Sequence, residues 1–390
     1  MKLILKLVVG IVAGIVIGLL QIENVTMLMI TMKDIIGQFI GFMIPFIILF
    51  FIATGISKLG QNSGRIVAFT AGTAYISTFL AGVLALTVSL IVIPFISTAD
   101  MHPGEGAGSE GFFPFEIQPV MGVITALVFA FVFGIGMAKL KSDGLMRVFD
   151  EARAIVELVI QKIIIPLLPV YIATIFAEMA SEGAVAKTLS VFGIVLLVAI
   201  GTHWVWLIIQ YSVAGLIAKR NPLELLKTML PAYFTAIGTM SSAATIPVTL
   251  RQAKKNNIRD EVANFSIPLS ATIHLSGSTI TIITCSIAVM SMLEGFSLPT
   301  VGKMLPVIAM LGIIMVAAPG VPGGAIMAAI GVLTDMLGFT DVAVGLMIAL
   351  YMAQDSFGTA ANVTGDGAIS VIVDTASKGK LGESEATVEQ

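Results

Sequence analysis

Charge is scarce in this chain. Only 12% of its 390 residues are Asp, Glu, Lys or Arg, about half the roughly 25% found in soluble proteins. Apolar residues reach 57% and the mean hydropathy is +1.01. There is too little polar surface to cover a water-soluble globule of this size, so the class is a polytopic membrane protein. A net charge of −3 without a dense basic cluster excludes an electrostatic footprint for nucleic acid. A single cysteine, Cys285, excludes an internal disulfide. His102, His203 and His274 are far apart in sequence, so no zinc or iron-cluster spacing exists. No Ser-His-Asp or metal-ligand set shares a helix face, which argues against a membrane enzyme.

What is present is length of apolar run. A spanning helix needs about 20 mostly apolar residues, and stretches near 4–20, 28–57, 66–96, 119–140, 155–180 and 189–218 qualify. The basic start of the first resembles a secretory signal but lacks a small-x-small cleavage site, so it reads as an uncleaved span. After 220 the apolar segments, near 229–250, 262–292, 302–337 and 341–374, are interrupted by Ser, Gly and Pro. Such pieces read as re-entrant hairpins and broken helices. With the N-terminus inside and the spans alternating, all of the 21 Lys and Arg except Lys33, Lys162, Lys187 and Lys303 fall on the cytoplasmic side. That bias supports the layout and puts the C-terminus inside as well.

Several segments read as structural. The Gly- and Pro-rich loop 97–118 is an external connection, 142–157 is amphipathic and expected along the cytoplasmic interface, and the polar tail after 376 is expected to fray. Gly10, Gly14 and Gly18 recur at four-residue spacing and form a small-residue packing face. His203, beside Trp204 and Trp206 in the middle of the sixth span, reads as packing.

The chemistry is concentrated in the last 170 or so residues, where hairpin, helix, hairpin and helix follow one another as a twofold repeat. The first hairpin carries Met240-Ser241-Ser242-Ala243-Ala244-Thr245-Ile246-Pro247, and the next helix is broken across His274-Leu275-Ser276-Gly277-Ser278-Thr279. The second hairpin carries Ala318-Pro319-Gly320-Val321-Pro322-Gly323-Gly324. Backbone groups left unpaired in hydrocarbon cost several kcal/mol each, so irregular backbone persists there only around a polar cavity or an ion. Small residues let the two tips approach; freed carbonyls can surround Na⁺, and freed N–H groups with Ser241 and Ser242 can hold a carboxylate. A tightly packed kink without a ligand is the alternative.

On the last helix, Thr359, Asn362 and Asp366 lie within about 40° of Asp355 at 100° per residue. A charge at the membrane centre costs about 2.5–3.5 kcal/mol, and no Lys or Arg occurs between Lys303 and Lys378. The two carboxylates therefore need partners distant in sequence. A substrate ammonium for one and Na⁺ for the other would satisfy both; a structural pair reaching Lys162 or a helix end is the alternative.

Layout and motifs together resemble the dicarboxylate/amino acid:cation symporter family, which includes glutamate transporters and a bacterial serine/threonine branch. The resemblance covers nearly the whole chain and is most specific at GVPGGAIM (320–327), NVTGD (362–366) and SSAATIP (241–247). It implies an all-α membrane protein with eight transmembrane helices, two re-entrant helical hairpins and inverted repeats, working as a homotrimeric elevator-type transporter in the cytoplasmic membrane. On this pattern 1–65, helix 4 within 66–140, and 141–188 form a scaffold. Helix 3 of 66–140, 189–220 and 221–375 form a transport core, followed by the tail 376–390. The resemblance further implies substrate contacts from Ser241, Ser242, Ser278, Val321, Gly324, Asp355, Gly358, Thr359 and Asn362, with Asp355 on the ammonium and Asn362 on the α-carboxylate. It implies one sodium at Asp366 with carbonyls of Ser270, His274 and Asn362. A second would sit at carbonyls of Thr272, Met315, Val316 and Ala318. Leu275 stands near it in place of the usual methionine.

Departures from the family pattern bear on substrate and ion. Acidic-substrate members carry arginine where this chain has Gly358, and often at the first tip, where it has Met240. Without a guanidinium a side-chain carboxylate would be buried unpaired, so aspartate and glutamate are expected to be poor substrates and a small neutral amino acid the better one. Gly358 also leaves room for something larger. The family's Asn-Met-Asp-Gly-Thr is here His274-Leu275-Ser276-Gly277-Ser278, which removes the carboxylate of a third sodium site. Ser77, Thr78 and Ser276 could supply only hydroxyls there. His274 either replaces the asparagine as a hydrogen-bonding group or takes part in proton movement. Proton-coupled symport and a passive pore remain the alternatives to Na⁺ symport.

Overall fold

The computed structural model describes residues 2–61, 65–95, 112, 116–141, 143–181, 183, 185–316 and 318–377. Most of loop 97–118 and the tail beyond Ser377 lie outside the described residues. The elements are helices: α1 (Lys2–Leu19), α2 (Glu23–Gln61), α3 (Arg65–Val92), α4 (Val123–Leu140), α5 (Asp143–Val159), α6 (Ile165–Ser181) and α7 (Val185–Ala218). The second half holds α8 (Pro222–Thr239), α9 (Ser242–Lys255), α10 (Asp260–Ile273), α11 (Ser276–Met292), α12 (Val301–Met315), α13 (Gly324–Leu337) and α14 (Asp341–Ser377). Among the described residues 7 helices are long and apolar enough to cross a membrane, counting α5–α6 and α10–α11 as one each. Against the eight spans expected, the difference is α1, whose apolar stretch Leu5–Leu19 falls short of the usual span.

Local sequence explains most boundaries. Asn221 caps α8 by accepting from Leu223 N, with Pro222 at the first helical position, where a missing N–H costs nothing. Thr300 caps α12 by accepting from Lys303 N. The segment expected to lie apart at 142–157 is instead continuous with the following span. A π-turn, Ile160–Ile164, joins α5 to α6. It stands just ahead of Pro166 and Pro169, whose missing donors and ring clashes displace the regular i→i−4 ladder. The first hairpin runs from Pro222 to Lys255, longer than the apolar stretch 229–250. The last helix, expected to be interrupted, is unbroken: α14 carries its glycines and polar residues in one ladder because neighbouring helices surround it on nearly every side.

The helices sort into two packing groups. In one, α1 packs along α6, and α2 packs on α4, α5 and α6. In the other, α14 is enclosed by α7, α8, α9, α10 and α11, while α3 covers α11 and α12. Buried residues make up 94% of the most apolar stretch of α10–α11 and 83% of that of α14, against 33% for α4 and α7. The helices with the most polar residues are thus the most enclosed. In α1, a Cβ on Gly10, Gly14 or Gly18 would strike the carbonyls of Pro169, Ala173 and Ala177. The glycine face is therefore a packing seam, as its spacing indicates. Since lipid removes the hydrophobic drive between helices, such close approach is what holds the pair.

Candidate functional site

The break between α10 and α11 is short. His274 and Leu275 leave helical geometry at φ −112°, ψ 89° and φ −113°, ψ 49°, and the helix resumes at Ser276 rather than after Thr279. Leu275 supplies no side-chain cap, so the first N–H groups of α11 are orphaned locally. Asn362 of α14 supplies the cap instead. Its Oδ1 accepts from Gly277 N at 2.7 Å and Ser278 N at 3.2 Å, and its Nδ2 donates to Ser278 Oγ at 2.9 Å. The approach is possible because Gly277 lies directly on the Gly358 carbonyl; a Cβ there would also meet Ala361 Cβ at 2.7 Å.

Both hairpin tips reach this point. Met240 takes the left-handed conformation at φ 52° and Ser241 caps α9 by accepting from Ala244 N at 3.2 Å. The Ser241 hydroxyl donates to Gly320 O at 2.9 Å, so the tips touch. At the second tip Gly323 has φ 74°, which favours glycine, and its N–H donates to Asp355 Oδ2 at 2.8 Å. Asp355 Oδ1 accepts from Tyr351 OH at 3.0 Å and from Thr359 Oγ1 at 3.5 Å. Between the tips lies a cavity of about 30 Å³, room for about two waters. Ser241, Ser242, Ser278, Val321, Asp355, Thr359 and Asn362 line it, and so does Tyr351, which no motif singles out.

Gly324 and Gly358 are not on its walls. A Cβ on Gly324 would meet the Pro319 carbonyl of its own tip. One on Gly358 would lie 3.1 Å from Thr281 Oγ1, so this glycine faces α11 and does not enlarge the cavity. Its smallness serves the α11 crossing.

One turn below, Asp366 is fully buried. Its partner is neither Lys162, which is exposed, nor a helix end. His274 Nδ1 lies 2.9 Å from Asp366 Oδ1, and His274 Nε2 lies 2.9 Å from Ser77 Oγ. Gln210 of α7 donates from Nε2 to Ser77 Oγ at 2.7 Å. Every donor has one acceptor if His274 carries its proton on Nδ1: the Gln210 amide donates to Ser77, Ser77 to His274, and His274 to Asp366. Asp366 Oδ2, Gln210 Oε1, Ser270 Oγ, Ser276 Oγ and Thr78 Oγ1 are buried without a hydrogen-bond partner. Each such oxygen costs about 1–3 kcal/mol. Unpartnered oxygen donors near unwound backbone are the kind that suit Na⁺. Gln210 is the group that motifs miss. It lies seven residues after His203, on the same face of α7 at 100° per residue. That stripe was readable. His203 does more than pack: its Nε2 lies 3.0 Å from Gly277 O and 3.1 Å from Thr281 Oγ1, against the same helix crossing.

Of the second sodium set, Thr272, Val316 and Ala318 line a separate cavity of about 450 Å³, shared with Lys58, Asp150, Arg153 and Glu157 of α2 and α5. Met315 is buried beside it. This cavity lies between the two packing groups and reaches the second hairpin. Arg153 donates to Thr54 Oγ1 at 3.2 Å and stacks 4.7 Å over Phe51, while Lys58 pairs with Asp150 at 2.7 Å.

Two hairpins meeting over a polar-centred helix, with a trans-capped break beside it, invite comparison with known proteins. The model of the sodium:dicarboxylate symporter family matches residues 3–376. The chain belongs to the sodium:dicarboxylate symporter family. It is therefore an integral membrane protein and a cation-coupled symporter, not an enzyme. Family relatives include a serine/threonine transporter of Streptococcus agalactiae, 28% identical over 359 residues, which covers 86% of this chain and 87% of that one. A serine/threonine transporter of Acinetobacter baumannii is 30% identical over 282 residues, covering 68% and 67%. Human excitatory amino acid transporter 1 is 28% identical over 280 residues, covering 68% of this chain but 50% of its own length.

Proposed function

We propose that the protein is a secondary active transporter that carries a small neutral amino acid, of the serine, threonine or alanine type, into the cell with Na⁺. The observation that carries the reading is the lining of the tip cavity. It holds one carboxylate, Asp355, a set of hydroxyls and the Asn362 amide, and no basic side chain. A zwitterion's ammonium matches Asp355, and its carboxylate matches the donors at Ser242, the first tip and Asn362. A second, side-chain carboxylate would be desolvated with no cation to meet it. The relatives' names, serine/threonine transporter, point the same way.

Sodium is the coupling ion favoured by the oxygen set. Asp366 with the carbonyls of Ser270, His274 and Asn362 would hold one ion, and Thr272, Met315, Val316 and Ala318 a second. Ser77 is engaged with His274 and Gln210, so a third site on Ser77, Thr78 and Ser276 would be weak. The cavity of about 30 Å³ is smaller than any amino acid, so the tips must part for substrate to enter. The elevator reading, with α1, α2, α4, α5 and α6 as scaffold and the other helices as the moving core, draws support from the two packing groups. Eight spans with two re-entrant hairpins, a homotrimer, and both termini cytoplasmic complete the proposal. In that orientation the Lys58–Arg153 cavity opens toward the cytoplasm.

Uptake of labelled serine into proteoliposomes along an inward sodium gradient tests the reading. It should fall to background with choline in place of sodium, and excess aspartate should not compete. Uptake driven by a pH jump without sodium would replace the coupling claim with proton symport through the His274–Asp366 pair.

A further inference from the structure

The tip cavity contains one aromatic ring, and its hydroxyl is committed. Tyr351 stands one turn before Asp355 on α14, is fully buried, and donates to Asp355 Oδ1 at 3.0 Å. Ser278, whose Oγ accepts from Asn362 Nδ2 at 2.9 Å, lines the same cavity. The phenol donates and the carboxylate accepts, so the Tyr351–Asp355 bond has one direction. The other carboxylate oxygen, Asp355 Oδ2, is held by the Gly323 N–H of the second hairpin tip.

We propose that Tyr351 is the positioning and size-determining residue of the substrate pocket. This rests on the amino-acid reading above. A carboxylate rotates freely about its last bond unless both oxygens are held. With Oδ1 on the phenol and Oδ2 on the tip N–H, Asp355 keeps lone pairs directed at an ammonium while it holds the tip closed. The ring itself is a wall of the cavity beside Ser278 and Asp355. Its bulk limits the side chain that can be enclosed, a task Gly358 does not perform because it faces α11.

Two variants separate the two duties. Tyr351→Phe keeps the wall and removes the hydroxyl. The half-saturating serine concentration should rise about tenfold, as expected for a lost hydrogen bond to a charged group. The maximal rate and the sodium-induced thermal shift without amino acid should stay near wild type, which a merely structural role would not separate. Tyr351→Leu shortens the wall, and leucine or methionine should then compete with labelled serine where they do not compete in the parent. Wild-type serine affinity in Tyr351→Phe overturns the positioning role. Unchanged size discrimination in Tyr351→Leu overturns the size role, with the sodium-induced shift as the check that the variant is folded. If the parent protein binds no amino acid with or without sodium, the functional reading itself fails, and this assignment with it.

Discussion

Two pairs of helices approach each other through glycine, and they use the closeness differently. Along α1 and α6, Gly10, Gly14 and Gly18 bed on the carbonyls of Pro169, Ala173 and Ala177, and the seam is one of close backbone packing. Where α11 crosses α14, Gly277 beds on the Gly358 carbonyl in the same manner. There the closeness brings Asn362 onto the orphaned N–H groups of α11 and His203 onto the Gly277 carbonyl. One device serves cohesion at the edge of the molecule and chemistry at its centre. A small-residue motif therefore says that two backbones meet; the polar groups within reach of the meeting say why.

Four substitutions test that contrast. The largest effect is expected at Asp366→Asn, which changes charge but not shape. Sodium-driven uptake should fall by about a hundredfold or more, in line with the several kcal/mol attached to a buried charge, and the sodium-induced thermal shift should shrink to what the second site supplies. A variant whose sodium response is undiminished would detach the central crossing from ion binding. Next comes Gly277→Ala, whose methyl group has backbone on one side and Ala361 on the other. It should cost about 3 kcal/mol and abolish serine uptake even in protein that remains folded at low temperature, because the Asn362 cap is displaced.

Gly14→Ala should cost about 2 kcal/mol by the same overpacking. Its half-saturating serine concentration should match wild type when uptake is normalised to folded protein. A changed serine affinity there would erase the distinction between the two seams. Smallest is Gly358→Ala, where only the Thr281 hydroxyl must give way by a few tenths of an ångström. A loss below about 1 kcal/mol in thermal denaturation is expected, with no gain of larger substrates. Competition by leucine in this variant would return Gly358 to the pocket wall.

Much of the site was legible because it is written along single helices. The Asp355–Thr359–Asn362–Asp366 stripe follows from 3.6-residue periodicity. The two tips announce themselves as Ser-Ser and Pro-Gly runs in apolar surroundings, and the α1 seam follows from its four-residue spacing. The misleading signals are also local. The polar run through α14 looks like an interruption until five helices enclose it, and Gly358 looks like space until α11 occupies it. His203 looks like packing in its own helix because its partners are the carbonyl and hydroxyl of a helix some seventy residues on.

By itself, then, the amino-acid order determined the membrane class, the positions of the hairpins and which side chains share each helix face. These depend on composition and on periodicity within one element. Only the tertiary structure decided that Asp366 answers His274, that Asn362 caps a helix it does not belong to, that Ser241 reaches Gly320, and that Tyr351 closes the pocket beside Asp355. The physical reason is the direction of the interactions. A helix satisfies its backbone internally and leaves its side chains to find partners across contacts that sequence spacing cannot measure, and in a chain with half the usual charge those partners are few.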